Sequence, residues 1–502
     1  MHVTASKLYD FLQCQHRVWR DIYGPKEEMN PEPNAFVQLL WERGVSHEKD
    51  VIKELGSILD LSHPNKDIQF ENTMKAMRDG VPLIYHGYIK WQNLAGEPDL
   101  LKKNSDGTYM PIDIKSGRGF ENVESNGEEK EKYKKHYALQ LCLYAEILHA
   151  LGFGEDNVGF IFDIDNKEVL YQLDEQIGSK THQTWKEAYQ ETKNEVALLM
   201  ENQRQNTPAL SGVCKLCPWY ESCKKWCKDN HDLSLIFFLG RSKRAKLIED
   251  IGIERGEELI TLDIPAVLEK KAKDKHYLHN IGESTLQTMK RRASILFQTT
   301  KPAIYKQLTF PSVKHELFFD IEDDPTQGFV YLHGVYERIN GTKEIFHPFT
   351  AKDFSKESEK SAWQEFVSFV HSLPKDDWCL YYYSKHEPTT YKKMREQYPD
   401  VITEEELEYM FDPSRAVDLY YDVILKYTDW PLYSYSLKEI ARYLKFDWRD
   451  KTPSGALSIQ WFNEYLETKD PKKLERIILY NEDDCKATMV IKDFLTSQPS
   501  TA

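Results

Sequence analysis

The stretch that decides the fold of the second half of the chain is Glu316-Leu-Phe-Phe-Asp320-Ile-Glu322. An apolar and aromatic run of this length is typical of a β-strand, and residues two apart on a strand share a face. Asp320 and Glu322 are therefore expected to project from one face. Further strands are predicted at Phe329–Glu337 and Trp378–Tyr383, with helices after them. From about residue 312 onward we expect an α/β unit.

A second acidic motif, Tyr480-Asn-Glu-Asp-Asp484, lies on the long helix predicted at the end of the chain. Tyr480 and Asp484 are four residues apart, so they are neighbours on one helical face. Two metal ions held by shared carboxylates can activate a water molecule and stabilise the leaving oxygen of a phosphodiester. We expect Asp320, Glu322 and Asp484 to bind Mg²⁺ or Mn²⁺, and Tyr480 to orient the water.

Together these motifs resemble those of the DEDD exonucleases in their tyrosine variant, over residues 312–502. The resemblance implies an RNase H-like fold and a 3′–5′ exonuclease activity. The family usually has an aspartate as its third acid, whereas this chain has Glu387 after the strand Trp378–Tyr383. Glu387 fits the position because a longer carboxylate can still bind the metal, and Asp418 is the alternative.

The first part of the chain, residues 1–230, is also predicted to be α/β, because strand-like runs are interleaved with amphipathic helical patterns. Strands are predicted at Leu83–Trp91, Asp99–Lys102, Tyr109–Lys115 and Val158–Ile164, and helices at His136–Leu151 and Lys180–Arg204.

Two acidic segments of this first part, Gly96-Glu-Pro-Asp99 and Asp113-Ile-Lys115, flank a predicted turn. A hairpin would bring Asp99 and Asp113 to one place, and two converging carboxylates suit a hard divalent ion such as Mg²⁺. Lys115 lies two residues beyond Asp113 and shares its strand face. There it is expected to orient or deprotonate a water molecule and to offset phosphate charge.

The same region carries Gly44-x-x-His47 upstream and Gln140-x-x-x-Tyr144 downstream. Gln140 and Tyr144 share a helix face and can hold a phosphate or the catalytic lysine. With the acidic segments, these motifs resemble the RecB-like branch of the PD-(D/E)XK nucleases, which have a restriction-endonuclease-like core. The resemblance implies hydrolysis of DNA, commonly at single-stranded ends. It also implies a catalytic lysine and this set of metal ligands: His47, Asp99, Asp113 and the carbonyl of Ile114.

Four of the eight cysteines fall within fourteen positions, at Cys214, Cys217, Cys223 and Cys227. A tight cluster in a chain without a secretory signal indicates a metal rather than disulfides. Thiolates suit either Zn²⁺ or an iron–sulfur cluster. Cys227 as the fourth ligand would give a local zinc site. Alternatively Cys14 completes the set, which resembles the iron–sulfur nucleases of the RecB type and implies a [4Fe–4S] cluster on a helical element.

Residues 231–311 are expected to form a helical linker. The segment Leu233–Ile253, with Gly240 and Gly252, is similar to a degraded helix-hairpin-helix module. Such modules present backbone N–H groups to phosphate. A helical spacer between two domains is the equally open alternative.

The composition fits roughly three domains of about 100–200 residues each, in a chain of 502 residues. The net charge of −15 argues against bulk adhesion to nucleic acid or anionic membranes, but permits local basic grooves. No apolar run approaches the roughly 18 residues of a membrane span, and the first residues lack an apolar signal core. We therefore expect a soluble, cytoplasmic protein that does not bind membranes.

The combined expectation is a multidomain α/β nuclease that processes DNA ends in repair, recombination or defence, with two active sites. The alternative is a nucleic-acid-binding scaffold in which one nuclease domain is catalytically dead and docks a helicase or another partner. The chain contains no Walker phosphate loop, so a helicase motor would be another chain. These residues do not distinguish DNA from RNA as the substrate.

Overall fold

The computed structural model describes residues 1–32, 34–125, 128–155, 157–178 and 181–499. The chain divides into two units. The first comprises residues 1–208 and 212–224, and the second comprises residues 209–211 and the chain from 225 onward. Both units contain a mixed sheet covered by helices.

The first unit is built on a six-stranded sheet. Its strands, in spatial order, are Leu59–Asp60, Leu83–Tyr85, Leu100–Lys103, Tyr109–Ile114, Val158–Phe162 and Glu168–Gln172. The first pair and the Tyr109–Ile114/Val158–Phe162 pair are parallel, and the other neighbours are antiparallel. Two-stranded ribbons are formed by Ile89–Trp91 with Leu94–Gly96, Phe120–Ser125 with Glu128–Tyr133, and Gln176–Gly178 with Thr181–Thr184.

The helix predicted at His136–Leu151 is found at Lys135–Ala150, within one residue at each end. The α-helices of the first unit are Ala5–Gln13, Gln15–Tyr23, Ala35–Glu54, Lys66–Arg78, Lys135–Ala150 and Trp185–Met200, and helix Tyr220–Asp229 contains the division between the units.

Helix Lys135–Ala150 forms the centre of the first core. Its sequence is apolar around most of its circumference, which is typical of a helix buried on several sides, and most of its residues are buried. Leu139 and Leu143 pack in one cluster with Tyr109 and Ile161 of the sheet. The helix is therefore fixed against the strands that carry the predicted acids.

Two predicted elements of this unit differ from the structure. The run predicted as one strand, Leu83–Trp91, is broken at His86, whose φ of 54° lies in the left-handed region. The helix predicted from Lys180 begins at Trp185, because Thr184 caps it in a reciprocal capping box with Glu187. Lys180 itself lies outside the described residues.

The second unit is built on a five-stranded sheet whose strands, numbered along the chain, lie in the order 3-2-1-4-5. In spatial order they are Lys343–Thr350, Phe329–Ile339, His315–Asp324, Trp378–Tyr382 and Ala416–Asp418. The pairings among the first three strands are antiparallel, and the last two strands run parallel to His315–Asp324. Ala303–Ile304 and Thr428–Asp429 form a separate small ribbon.

Helices Lys356–Ser372, Gly455–Thr468 and Pro471–Ser497 pack against this second sheet. The α-helices are Gly240–Lys246, Ile264–Lys273, Glu283–Gln298, Lys356–Ser372, His386–Gln397, Glu404–Met410, Leu425–Tyr427, Leu437–Tyr443, Gly455–Thr468 and Pro471–Ser497. Leu247–Ile251 and Leu419–Ile424 are π-helical turns.

The segment predicted as a linker, residues 231–311, falls within the second unit. It has an apolar cluster of its own, which includes Leu233, Leu247, Leu286 and Ala293. It is joined to the rest of the unit by the fully buried Asp429. Asp429 accepts hydrogen bonds from the side chains of Arg291, Arg292 and Tyr305.

The last helix, Pro471–Ser497, begins as predicted. Asp470 caps it by accepting from the backbone N–H of Lys472, and Pro471 is its first residue. The helix lies very close to the sheet at Gly334, where a Cβ atom would stand 1.6 Å from Asn481 Oδ1. Gly334 pairs directly with Asp320 in the strand register. The missing side chain therefore lets this helix approach the strand that carries Asp320.

Among the helices that the structure describes, none combines the length and the apolar character that crossing a membrane requires.

We expect Gly334→Ala to destabilise the protein by about 1–3 kcal/mol, the usual cost of overpacking. The added methyl group must displace Asn481, and with it the last helix. The matched control is Gly455→Ala, where a Cβ would have no neighbour within 4 Å. Urea denaturation of both variants measures the difference, and equal midpoints would contradict the close approach described above.

Candidate active sites

Three carboxylates of the second unit converge at one place. Asp320 and Glu322 lie on strand His315–Asp324 and Asp484 lies on the last helix, and one oxygen of each falls within 4.8 Å of the others. Glu322 and Asp484 are buried, and Asp320 is partly buried. The two acidic motifs singled out in the sequence, more than 150 positions apart, therefore form one cluster.

The electrostatics of this cluster are unfavourable without a cation. Burial, and then the charges of Asp484, Glu322 and Glu387, raise the pKa of Asp320 well above its usual range. Burial and Asp484 raise the pKa of Glu322 to about 8, and burial raises that of Asp484. Desolvation and like charge both favour the protonated acids. A divalent cation would remove that penalty, so the donor set fits a metal of the Mg²⁺ or Mn²⁺ class.

Glu387 lies in the first turn of helix His386–Gln397, directly after strand Trp378–Tyr382. It is buried, its pKa is raised to about 7 by burial, and its charge acts on Asp320. The alternative, Asp418, accepts hydrogen bonds from the backbone N–H groups of Tyr420 and Tyr421 as a helix cap. Asp418 also raises the pKa of Glu387, so both acids lie near the cluster.

Tyr480 lies one helical turn before Asp484 and is buried. Burial and then the charge of Asp484 raise the pKa of its phenol, which therefore stays protonated. Its oxygen accepts a hydrogen bond from Lys438 Nζ at 2.7 Å. Lys438 thus places a positive charge beside the acids.

Three groups beside the acids were missed in the sequence. Besides Lys438, Trp448 Nε1 donates to Asp484 Oδ1 at 2.7 Å, and Asn481 Nδ2 donates to Asp320 Oδ2 at 2.7 Å. Asn481 lies inside the motif Tyr480-Asn-Glu-Asp-Asp484. Its position in this acidic motif could have indicated that it lies at the site. Lys438 and Trp448 come from separate segments, and no spacing pattern pointed to them.

In the first unit, the predicted hairpin pairs Leu100 with Ile112, which places Asp99 beside the end of strand Tyr109–Ile114. Asp99 Oδ2 accepts a hydrogen bond from the backbone N–H of Ile114 at 2.6 Å. Burial, and then the charge of Asp113, raise the pKa of Asp99 well above its usual range. Asp99 and Asp113 are therefore close enough to interact strongly.

Lys115 forms an ion pair with the buried Asp113. Burial alone would lower the pKa of Lys115, but Asp113 and Asp99 outweigh it and the net shift is upward. The ammonium group is therefore held in its charged form. In this state Lys115 is suited to offset negative charge rather than to accept a proton.

The predicted pair Gln140 and Tyr144 is formed on helix Lys135–Ala150, where Gln140 Nε2 donates to Tyr144 Oη at 2.9 Å. Burial and then Asp113 raise the pKa of Tyr144, which places its ring near the acids. The ring packs against Gly96, where a Cβ would lie 2.5 Å from it. Gly96 therefore makes room for the tyrosine beside the acidic segment.

His47 lies on helix Ala35–Glu54, and its Nε2 is buried without a hydrogen-bond partner among the described residues. The cation-binding group that the structure brings together around Asp99 contains Glu48 and His86. Both were missed in the sequence. Glu48 directly follows His47, whereas His86 sat inside a run predicted as a continuous strand.

The loop with Cys214, Cys217 and Cys223 packs against the first helices of the chain. Trp219 Nε1 donates to Asp21 Oδ1 at 2.8 Å, and the Arg20 guanidinium lies 4.5 Å from the Trp219 ring.

The thiol of Cys14 is near enough to act on that of Cys223. Burial raises the pKa of Cys223 to about 12, and Cys217, Cys14 and Cys214 add to that shift. Cys227 is buried further along the helix, where its sulfur lies 3.8 Å from Ser234 Oγ.

Residues 317–496 match the family model RNase_H_2 of the RNase H superfamily. No curated protein matches the chain significantly. The matched range contains Asp320, Glu322, Glu387 and Asp484, together with most of the five-stranded sheet. The second unit therefore carries an RNase H-like domain, as predicted. Such a domain indicates a nuclease-type hydrolase that acts on nucleic acid and generally uses divalent metal ions.

A pH-dependent effect of metal on stability is expected from the raised pKa values of Glu322, about 8, and Glu387, about 7. Both lie above the usual value for glutamate, so the folded metal-free protein holds protons that the unfolded chain has lost. Its stability therefore falls as the pH rises from about 5 to 8. A bound cation replaces those protons. We expect Mn²⁺ to raise the melting temperature more at pH 8 than at pH 6.

Thermal unfolding with and without Mn²⁺ at both pH values measures this effect. In Asp484→Asn the pH dependence of the metal effect should shrink. A metal-induced shift that is the same at pH 6 and pH 8 would contradict the role of these carboxylates.

Proposed function

We propose that this chain is a metal-dependent nuclease that hydrolyses DNA phosphodiesters at free or single-stranded ends. The observation that carries the proposal is the buried convergence of Asp320, Glu322 and Asp484 within 4.8 Å, inside a domain of the RNase H superfamily. We propose that the protein acts in the cytoplasm and processes DNA ends in repair, recombination or defence. A helicase on another chain would supply the single strands.

In the C-terminal site, Asp320, Glu322, Glu387 and Asp484 would hold Mg²⁺ or Mn²⁺. The metal would supply a polarised water molecule and neutralise charge on the phosphate. Asn481 and Trp448 orient the carboxylates by donating to Asp320 and Asp484. Donors of this kind fix the geometry of metal-binding carboxylates.

Tyr480 and Lys438 would act on the attacking water in this site. The phenol is buried, protonated and fixed by Lys438 Nζ at 2.7 Å. A phenol held next to Asp484 can orient a water molecule toward the phosphorus by hydrogen bonding. We propose 3′–5′ exonuclease action for this site, in which Tyr480 positions the nucleophile.

We propose a second, RecB-like site in the first unit. His47, Asp99, Asp113 and the Ile114 carbonyl are the proposed metal ligands, and Lys115 offsets charge on the phosphate. Support comes from the raised pKa of Asp99 beside Asp113 and from the charged state of Lys115. Gln140 and Tyr144 would contact the phosphate from helix Lys135–Ala150.

Single substitutions in each proposed site test whether both sites cleave nucleic acid. We expect Asp484→Asn to abolish 3′ trimming, and Lys115→Ala to abolish a separate cleavage activity. Each loss should be about a hundredfold or more, as for other positioned catalytic groups. The assay follows 5′- and 3′-labelled single-stranded DNA and RNA with Mg²⁺ or Mn²⁺. Glu475→Gln, an exposed acid on the same helix as Asp484, is the matched control.

The pattern of losses separates the alternatives. Two activities lost independently support two working sites. If one variant eliminates all cleavage, the other domain is a catalytically dead scaffold that docks DNA or a partner protein. Undiminished trimming by Asp484→Asn would contradict the C-terminal assignment.

We also propose that Cys14, Cys214, Cys217 and Cys223 hold a [4Fe–4S] cluster, with Zn²⁺ as the alternative cofactor. The cluster would supply a cross-link between distant parts of the chain, because it would tie residue 14 to the loop that follows residue 208. Support comes from the effect of the other three thiols on the pKa of Cys223. Cys227 contacts Ser234 instead, which favours Cys14 as the fourth ligand.

Anaerobically purified protein is expected to contain iron and to absorb near 400 nm. Cys14→Ser should lose both signals, whereas Cys227→Ser should keep them. Serine is a favourable residue at the helix cap that Cys14 occupies, so the variant is expected to fold. A colourless preparation with stoichiometric zinc would contradict the cluster.

A further inference from the structure

Glu48, His86 and Asp99 form a compact set of cation-binding atoms in the first unit. One ligand atom from each lies within 4.8 Å of the other two. Metal–nitrogen and metal–oxygen bonds of about 2.0–2.2 Å put two ligands of one ion at most about 4.4 Å apart. This is close to the limit of 4.8 Å within which the three atoms lie. The Glu48 and His86 side chains are 21% and 28% exposed, so an ion has access while most of each side chain is held by protein.

The hydrogen bonds of His86 define which ring nitrogen faces this set. The Ser62 hydroxyl donates to Asp60 Oδ1 at 2.6 Å, so its oxygen accepts from His86 Nδ1, also at 2.6 Å. Nδ1 therefore carries a hydrogen. Histidines that bind metals characteristically donate from their second ring nitrogen in this way.

His86 Nε2 lies 3.1 Å from Glu48 Oε1. With the hydrogen on Nδ1, the neutral ring presents a lone pair toward a carboxylate oxygen that already accepts from Tyr85 Oη at 2.8 Å. Two acceptor atoms at this distance repel unless a cation lies between them. That cation is either a proton on the imidazole or a metal ion.

The backbone holds His86 in place for this contact. Its φ of 54° is in the left-handed region, which side-chain-bearing residues rarely adopt. Its N–H donates to the Asp99 carbonyl at 3.0 Å, and its carbonyl accepts from Gln69 Nε2 at 2.6 Å. The ring also stacks on Tyr85 with 3.8 Å between the centroids. This conformation breaks the strand and places the ring beside Glu48.

We propose that Glu48, His86 and Asp99 bind one first-row transition ion, for which Mn²⁺ is the probe, in preference to Mg²⁺. An imidazole nitrogen favours transition ions, whereas Mg²⁺ prefers oxygen ligands and retains its waters. This inference deepens the proposed N-terminal site and rests on it only through the shared Asp99.

The test uses the full-length protein carrying Asp320→Asn and Asp484→Asn, so that the C-terminal site contributes no strong binding. Mn²⁺ binding is measured by titration calorimetry and electron paramagnetic resonance, with Mg²⁺ as competitor. His86→Asn and His86→Asp have nearly the same shape, and both residues tolerate a positive φ. They differ in whether an anionic ligand replaces the imidazole.

We expect His86→Asn to weaken Mn²⁺ binding at least tenfold. His86→Asp should keep cation binding but lower the preference for Mn²⁺ over Mg²⁺ at least tenfold, because the site then has only oxygen ligands. Glu48→Gln should weaken Mn²⁺ binding as His86→Asn does. His149→Gln, an exposed histidine of the same unit, should behave as the parent protein.

Mn²⁺ binding that is unchanged in both His86→Asn and Glu48→Gln would overturn the proposal and identify the Glu48–His86 contact as a proton-bridged ion pair. This result is separable from failure of the proposed nuclease activity. If Lys115→Ala cuts normally while His86→Asn loses Mn²⁺, the metal site stands and the N-terminal activity fails. If Lys115→Ala loses cleavage while His86→Asn binds Mn²⁺ as the parent protein does, the N-terminal activity stands and this inference fails.

Discussion

Mutual repulsion among Asp320, Glu322 and Asp484 is the constraint on which the second unit depends. Their oxygens lie within 4.8 Å of one another, largely out of water. Such an arrangement persists only when the surrounding packing determines it. Here the packing is that of the last helix against the sheet, which is possible because Gly334 has no side chain opposite Asn481. The packing thus holds together acids that would be more stable apart, and it raises their pKa values.

In the first unit, part of the charge of the clustered acids is compensated by the protein itself. Its acids are accompanied by a lysine of the same strand, and the ion pair between Lys115 and Asp113 compensates part of the charge within the protein itself. In the second unit Lys438, whose charge acts on Asp320 and Asp484, donates a hydrogen bond to Tyr480. The two proposed sites therefore differ in how much positive charge a bound ion would have to supply.

Much of the second unit was predictable from local patterns. Alternation placed Asp320 and Glu322 on one strand face, and the four-residue spacing placed Tyr480 beside Asp484. The hairpin that joins Asp99 to Asp113 followed from short-range pairing in the same way. These predictions depend on neighbours within one or two elements, where residue spacing determines geometry.

What could not be predicted depends on contacts between distant segments or on unusual backbone. Lys438 and Trp448 reach the C-terminal site only through tertiary packing. His86 lies inside an apolar run that predicts a strand. Its left-handed conformation is held by hydrogen bonds to Asp99 and Gln69, and the local sequence does not show these contacts. The packing of Trp219 against Asp21 and Arg20 likewise joins segments about 200 positions apart, and no local pattern predicts it.

Asp429 bears on where the second unit can be cut from the chain. It is fully buried, and the arginines that neutralise it, Arg291 and Arg292, belong to the segment that the sequence suggested was a spacer. A fragment that starts at residue 312 would keep the acid and lose both cations, and an isolated buried charge costs roughly 3–5 kcal/mol. A fragment that carries the RNase H-like domain together with these arginines therefore starts well upstream of residue 317, near residue 225.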